Sequence, residues 1–416
     1  MNKKIIIKII FKEKEKKLLI ILIFITSYYC YFENIYGTKP DDKAMDYNEK
    51  FFSYQKSYNS AKGFIENVLK KKQINKNDFK KSKKPKISAI IPCHNCKNYV
   101  DNAILSIQNQ NFSDFEIIIG NDFSTDESLL FLEEFKKNEA RLKIINNNKN
   151  MGTLYTRSIC TLFSKGKYIF PIDSDDMLLN FNVFSLVLKI ADKGNFDIII
   201  FNSIVSDLKP DINSTKIYTH RYEKSHKPNL VLSQPKLGYY PIISNRKKYI
   251  WHNEVLIFAK CIKSKIYKKA INKLGKSRYS RFMVLGEDNI STYIIFNTAN
   301  IAKYIPYYGY LHLYRKGSIS TKKRDKIYML IVNLYIFDVV IKFSKETIEN
   351  KNILVNYIIF FFKSKMLKPL LYANEQYNRT FISCLDRILN CKYISSEKKK
   401  KIRRMGKSLK FIKYKF

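Results

Sequence analysis

The sequence predicts an α/β protein built on a doubly wound, mostly parallel sheet. Two observations point there. From Ile87 to Val205, short apolar runs alternate with stretches whose apolar residues recur at helical spacing, the pattern of repeated strand–helix–strand units. Three polar clusters, "CHN", "ND" and "DSDD", stand where three of those runs end. In such a sheet ligands bind beyond the carboxyl ends of the strands, so the clusters mark one site.

The elements follow in order. "ISAIIP", bounded by Pro92, reads as a buried strand. "NYVDNAILSIQNQ" follows as a helix with Val100, Ile104 and Ile107 on one face and Asn98 as N-cap. The strand "FEIIIG" leads into the loop "NDFSTD" and the helix "ESLLFLEEFKKN", where Ser124 and Glu127 have capping-box spacing. The cycle repeats with the strand "LKIINN", the helix "TLYTRSICTLFS" and the strand "KYIFPID". After "DSDD" come the helix "FNVFSLVLKIAD" and the strand "FDIIIFNSIV". Residues 212–250 read as an irregular excursion, and apolar helical patterns return after residue 326.

The flanks divide the chain further. Leu18–Phe32, uncharged and mostly apolar behind a lysine-rich start, reads as a signal anchor, so that 1–32 form a cytoplasmic tail and anchor. That predicts a single-pass type II membrane protein, in the Golgi or ER if the source is eukaryotic. Residues 33–86 read as a lysine-rich stem with one helix near "AKGFIENVLKKK", 87–325 as the main domain and 326–416 as a helical C-terminal extension. Sequons at Asn111, Asn213, Asn289 and Asn378 would meet glycosylation machinery in a lumen. A glycan on Asn289 would obstruct the site described below.

Composition excludes several classes. A hydrophobic share of 45% is too high for a disordered chain. The net charge of +40 comes from lysine spread along the whole sequence, and no nucleic-acid-binding module is present, so a nucleic-acid partner is not expected. Seven cysteines make no closely spaced disulfide framework. Cys93 and Cys96 lack the second ligand pair that zinc requires, and they read as small buried fillers at the edge of a pocket.

Taken together, these stretches resemble the family 2 glycosyltransferases, which have the GT-A fold. "ISAIIPCHN" resembles the opening strand, which usually ends Pro-x-Tyr-Asn. "EIIIGNDFSTD" resembles the second strand with its Asp-Asp-x-Ser-x-Asp loop. "NKNMGTLYTRS" is similar to the Asn-x-Gly…Arg segment, "PIDSDDML" to the Asp-x-Asp metal motif, "LGEDN" to the motif carrying the catalytic base, and "YRKGSIS" to a segment that follows it. The resemblance spans Ile87 to about Ser320. It implies transfer of a hexosyl or N-acetylhexosaminyl group, with inversion, from a nucleotide sugar to a hydroxyl of a glycan, lipid or protein. By resemblance, Pro92, His94, Asn95, Asp122, Arg157, Asp173 and Arg315 would hold the donor. Asp175, with Asp173, would bind manganese or magnesium, and Asp288 would be the general base. Glu287 is the alternative base or a partner that orients the acceptor. Lys316 would join Arg315 at the diphosphate, and Trp251 and Lys260 either line the acceptor or pack.

The chemistry fits these residue types. A diphosphate leaving group carries charge that must be neutralised as the glycosidic bond breaks, and a divalent ion between carboxylates does so. Carboxylates crowded at the end of a buried strand repel one another without a cation. Two positions depart from the family pattern: Asn121 stands where a first Asp is usual, and His94 where a Tyr is. They leave open the nucleobase, for which uracil is the expectation, and a second class of function, an inactive anchored protein that binds sugar or nucleotide.

Overall fold

The computed structural model describes residues 45–70, 83–207, 217–218, 231–233, 256–279, 283 and 286–315, with isolated positions at 335, 336, 339, 343, 396, 397 and 400. Ten strands form one sheet: β1 (Ile87–Cys93), β2 (Phe115–Asn121), β3 (Leu142–Asn146), β4 (Tyr168–Pro171), β5 (Met177–Leu178), β6 (Ile198–Ser206), β7 (Ile217–Tyr218), β8 (Val231–Ser233), β9 (Lys260–Lys263) and β10 (Ile301–Leu313). The main path runs β3-β2-β1-β4-β9-β6-β10-β5, with β7 beside β6 and β8 beside β10. β3, β2, β1 and β4 are mutually parallel. β9 enters antiparallel between β4 and β6, and β6 and β10 are parallel to each other.

Every residue of β1, β2 and β6 is buried. That is why they read as unbroken apolar runs: both faces of a parallel sheet are covered by helices. The helices between strands are α2 (Val100–Gln108), α3 (Ser128–Asn138), α4 (Thr153–Phe163) and α5 (Val183–Lys193). α5 sends Phe184 against Phe115 and Phe170, with ring centroids 5.6 and 4.7 Å apart, in one large core. Past β9 come α6 (Ser264–Leu274), α7 (Lys276–Tyr279) and α8 (Glu287–Thr298), and α8 leads into β10.

Capping differs from expectation. α2 starts after Tyr99, not after Asn98, and α3 starts after Glu127 without a side-chain cap. Ser124 does not close a capping box because its hydroxyl accepts the backbone N–H of Asn95 instead, at 3.0 Å.

A further helix, α1 (Met45–Leu69), lies in the span read as stem and is longer than the short helix expected there. Tyr58, Ala61, Ile65 and Val68 fall at spacings of three and four, which places them on one face. They pack into a second core with Leu105, Met177, Leu179, Ile204, Leu311 and Leu313. This core lies directly behind β5 and the end of β10.

The single-pass type II reading is corrected. Among the described residues no helix is long and apolar enough to cross a membrane. Leu18–Phe32 lies outside the described residues. The C-terminal extension also lies almost wholly outside the described residues.

Ile65 is fully buried where α1 meets the sheet. Replacing it with alanine is expected to lower stability by about 2–5 kcal/mol, measured by chemical denaturation of the full chain. A loss below about 0.5 kcal/mol, the scale of a surface substitution, would show that α1 is not docked.

Candidate active site

The polar clusters meet at one rim. At the end of β1, Cys93 and Cys96 are joined by a disulfide, with Cα atoms 5.6 Å apart. This corrects the reading of two separate fillers. Both are buried as expected, but the chain turns through Asn95 at φ +52° and brings the sulfurs together. Pro92 is buried within β1 opposite Gly120. His94 is exposed, its Nδ1 2.9 Å from the carbonyl of Asp122. A carbonyl only accepts, so Nδ1 carries the proton, which leaves Nε2 to accept from Asn150 Nδ2 at 3.2 Å.

The next loop is laced to this one. Asn95 Oδ1 accepts the backbone N–H of Thr125 at 2.8 Å, and Ser128 Oγ accepts those of Cys96 and Lys97 at 2.8 and 3.0 Å. Asp122, expected at the nucleobase, is buried and already engaged. Its Oδ1 accepts from Met151 N and Asn147 Nδ2, each at 2.8 Å, and its Oδ2 from Gly152 N at 2.7 Å. Asp122 thus holds the loop between β3 and α4 in place.

The acidic cluster follows β4. Asp176 is fully buried and accepts from Tyr310 OH at 2.8 Å, His312 Nδ1 at 3.0 Å and Leu313 N at 2.9 Å. It ties the "DSDD" turn to β10. Asp173 and Asp175 remain partly exposed. Arg157, on α4, is buried and donates from Nη2 to Asp173 at 2.6 Å and from Nη1 to Asp288 at 3.3 Å. Asp288 stands in the first turn of α8, which follows Gly286 at φ +78°, a conformation glycine takes without strain. Arg315 donates from Nη2 to Asp175 at 2.5 Å, and its guanidinium carbon lies 3.9 Å from the centroid of the Tyr99 ring.

Asp173, Asp175, Arg157, Asp288 and Arg315 therefore lie together, and Glu287 adjoins them in the first turn of α8. His94 and Asn95 form the neighbouring rim. Lys260 packs, its ammonium bonded to the carbonyls of Leu256 and Phe258. Trp251 and Lys316 lie outside the described residues.

The sequence reading missed Tyr99, Phe258, Tyr310 and His312. Phe258 stacks on Tyr310 and His312, with centroids 4.6 and 5.3 Å away. Tyr310 and His312 share a strand face at period two, and that spacing was the signal available.

The electrostatics reflect crowding. Burial pushes Asp173 up to about 7, with Asp176 and Asp288 adding to the rise against the opposing charge of Arg157. Burial, then the charge of Asp288, pushes Glu287 up to about 8. Asp175 is also raised, by burial and Asp176, while Arg315 opposes the rise. Burial opposes protonation of His312, yet Asp176 prevails and raises it to about 9. Among the described residues no three or more His, Cys, Asp or Glu side chains converge as a metal cage. Asp173 and Asp175 do supply hard oxygen donors of the kind a small divalent ion takes when phosphate oxygens and water complete its shell.

The model of glycosyl transferase family 2 matches residues 88–252. That span is a family 2 glycosyltransferase domain. An uncharacterized glycosyltransferase of Haemophilus influenzae is 41% identical over 93 residues, 22% of this chain and 29% of the relative. The Pasteurella multocida chondroitin synthase is 37% identical over 94 residues, 23% of this chain and 10% of its own. A Campylobacter jejuni GalNAc(5)-diNAcBac-PP-undecaprenol β-1,3-glucosyltransferase is 32% identical over 111 residues, 26% of this chain and 36% of its own. The match thus covers well under two thirds of each relative's length. S. aureus TarS, in a crystal structure with UDP-GlcNAc, superposes with a TM-score of 0.54 at 17% identity, over 74% of this chain and 81% of that one, a likeness of fold. These relatives are bacterial, which removes the ground for a Golgi or ER placement.

The raised carboxyls set a pH dependence for the glycosyltransferase domain. A carboxyl with a raised folded pKa stabilises the native state fully below its unfolded value of about 4, and that contribution is lost as pH rises through the folded one. Asp173 and Glu287, at about 7 and 8, therefore make the metal-free protein less stable at pH 8 than at pH 5. The thermal midpoint should fall across that range, and manganese should restore more of it at pH 8 than at pH 5. Scanning fluorimetry with and without manganese checks both; a midpoint that rises from pH 5 to 8 contradicts the assignment.

Proposed function

We propose that this chain is an inverting, divalent-metal-dependent glycosyltransferase that moves a hexosyl or N-acetylhexosaminyl group from a UDP-sugar to a hydroxyl of a glycan, lipid or protein. The observation that carries the reading is the buried Arg157 bridge, which holds Asp173, on the metal side, next to Asp288, on the base side. The UDP-GlcNAc bound to TarS and the lipid-linked glycan named for the Campylobacter relative support these classes of donor and acceptor.

Asp288 takes the proton of the acceptor hydroxyl as its oxygen attacks the anomeric carbon. The bond from that carbon to the diphosphate oxygen breaks, its electron pair leaves with the diphosphate, and a single displacement inverts the centre. Burial, then the charge of Asp288, raises Glu287 above the usual carboxylate range, which favours it for orienting the acceptor, with Asp288 as the base. Asp173 and Asp175 would hold manganese or magnesium, which when bound supplies positive charge to the leaving group. Arg315 rests on Asp175 until the donor's diphosphate offers it a second anion.

Donor hydrolysis in manganese, comparing the wild type with Asp175→Ala and Asp288→Asn, tests the reading. Each substitution should lower turnover by about 10²–10⁴-fold, the usual worth of a positioned acid or base and of charge stabilisation at a developing anion. Equal turnover in all three proteins would remove these residues from the mechanism. A wild type that binds donor without turning it over would favour the inactive binding protein.

A further inference from the structure

Phe123 is the outlier on the rim. Its backbone sits at φ +57° and the residue is 50% exposed. A left-handed conformation suits glycine and is tolerated by asparagine, but it strains a bulky aromatic residue. Half-exposure leaves the ring only part of the burial that would offset the strain. Strain of this kind, incompletely offset, gathers at sites where a ligand uses it.

The surrounding bonds impose the conformation. Asn121 Oδ1 accepts the N–H of Ser124 at 3.3 Å and closes the turn around Phe123. Asp122 N donates to the carbonyl of Cys93 at 2.8 Å, and Ser124 Oγ accepts from Asn95 N at 3.0 Å. Phe123 thus leaves the backbone where the loops after β1 and β2 are stitched together, directly after the residue whose carbonyl holds His94. The rim presents two exposed flat rings, Phe123 and His94, at bonded neighbouring positions. Asp122 has three of its acceptor sites taken by the loop at Asn147–Gly152. One acceptor site on Oδ2 is left by these bonds, and the flat rings add to it a face on which a planar group can lie.

We propose that Phe123 is a nucleobase-binding residue, a stacking platform that acts with His94 on the planar base of the donor. This deepens the donor reading above and rests on it. Stacking draws on the π-face that every base has, so the platform supplies affinity for a nucleoside diphosphate over a bare diphosphate without choosing among bases.

The test is calorimetric titration of the full chain in manganese with UDP, dTDP, GDP and CDP, and with inorganic pyrophosphate as a probe that lacks a base. Phe123→Gly should weaken the tightest nucleotide by about tenfold or more. It should leave pyrophosphate within about twofold and keep the thermal midpoint at or above that of the wild type, because glycine releases the strain. Phe123→Tyr should restore affinity and Phe123→Leu should not, since only the former keeps an aromatic face. Nucleotide binding by Phe123→Gly as tight as the wild type's overturns the proposal. So does an equal loss for nucleotide and pyrophosphate with a lowered midpoint, which would mark a purely structural role. A wild type that binds none of the four nucleotides refutes the donor reading itself, a result distinct from either.

Discussion

One buried guanidinium organises this site. Arg157 lies 2% exposed between Asp173 and Asp288, carboxylates that reach it from the end of β4 and the start of α8. Alone, a charge so placed would be prohibitively costly, and removing one partner of a buried pair typically costs about 3–5 kcal/mol. The bridge therefore fixes the distance between the two halves of the site before any ligand arrives. Its Nε finds no hydrogen-bond partner among the described residues.

A second layer keeps the first in register. Asp176, the most buried acid of its turn, serves as a fastener: Tyr310, His312 and Leu313 all donate to it. The antiparallel pairing of Met177 and Leu178 with Leu311 and Tyr310 makes this possible by folding the chain after the turn onto the end of β10. Arg315 is thereby delivered to Asp175. α1 closes the back of this joint through Ile65 and Val68. The buried face of a helix remote in sequence thus bears on the aim of the acidic turn, because close-packed interiors transmit displacement and do not absorb it.

How much of this was legible follows from how local each signal is. β1, β2, β4 and β6 were readable because burial on both faces writes itself as uninterrupted apolar runs. The meeting of Asp173, Asp175 and Asp288 followed once each lay at the end of a strand or the start of a helix. The antiparallel entry of β9 was not readable, since "KCIK" has neither the length nor the alternation of a strand and is defined by its neighbours. The disulfide was hidden for a similar reason. C-x-x-C spacing serves several chemistries, and only the turn at Asn95 brings the sulfurs together. Asp176 was indistinguishable from Asp175 by type; burial alone separates a fastener from a candidate ligand.

The rim at His94 and Asp122 and the start of α8 are also joined by backbone. Asp122 holds the N–H groups of Met151 and Gly152, and the next residue, Thr153, donates from its backbone to the carbonyl of Met283 at 3.0 Å. Gly152 makes that approach possible: at φ +84°, a Cβ there would fall 2.7 Å from the Met283 oxygen. Met283 lies three residues before Gly286, where α8 begins its turn toward Asp288. The loop around Asp122 is therefore tied to the start of α8 by two routes, through this backbone contact and through α4 to Arg157. Both are short, so the rim proposed to meet the donor and the carboxylate proposed to take the acceptor's proton are held in one frame.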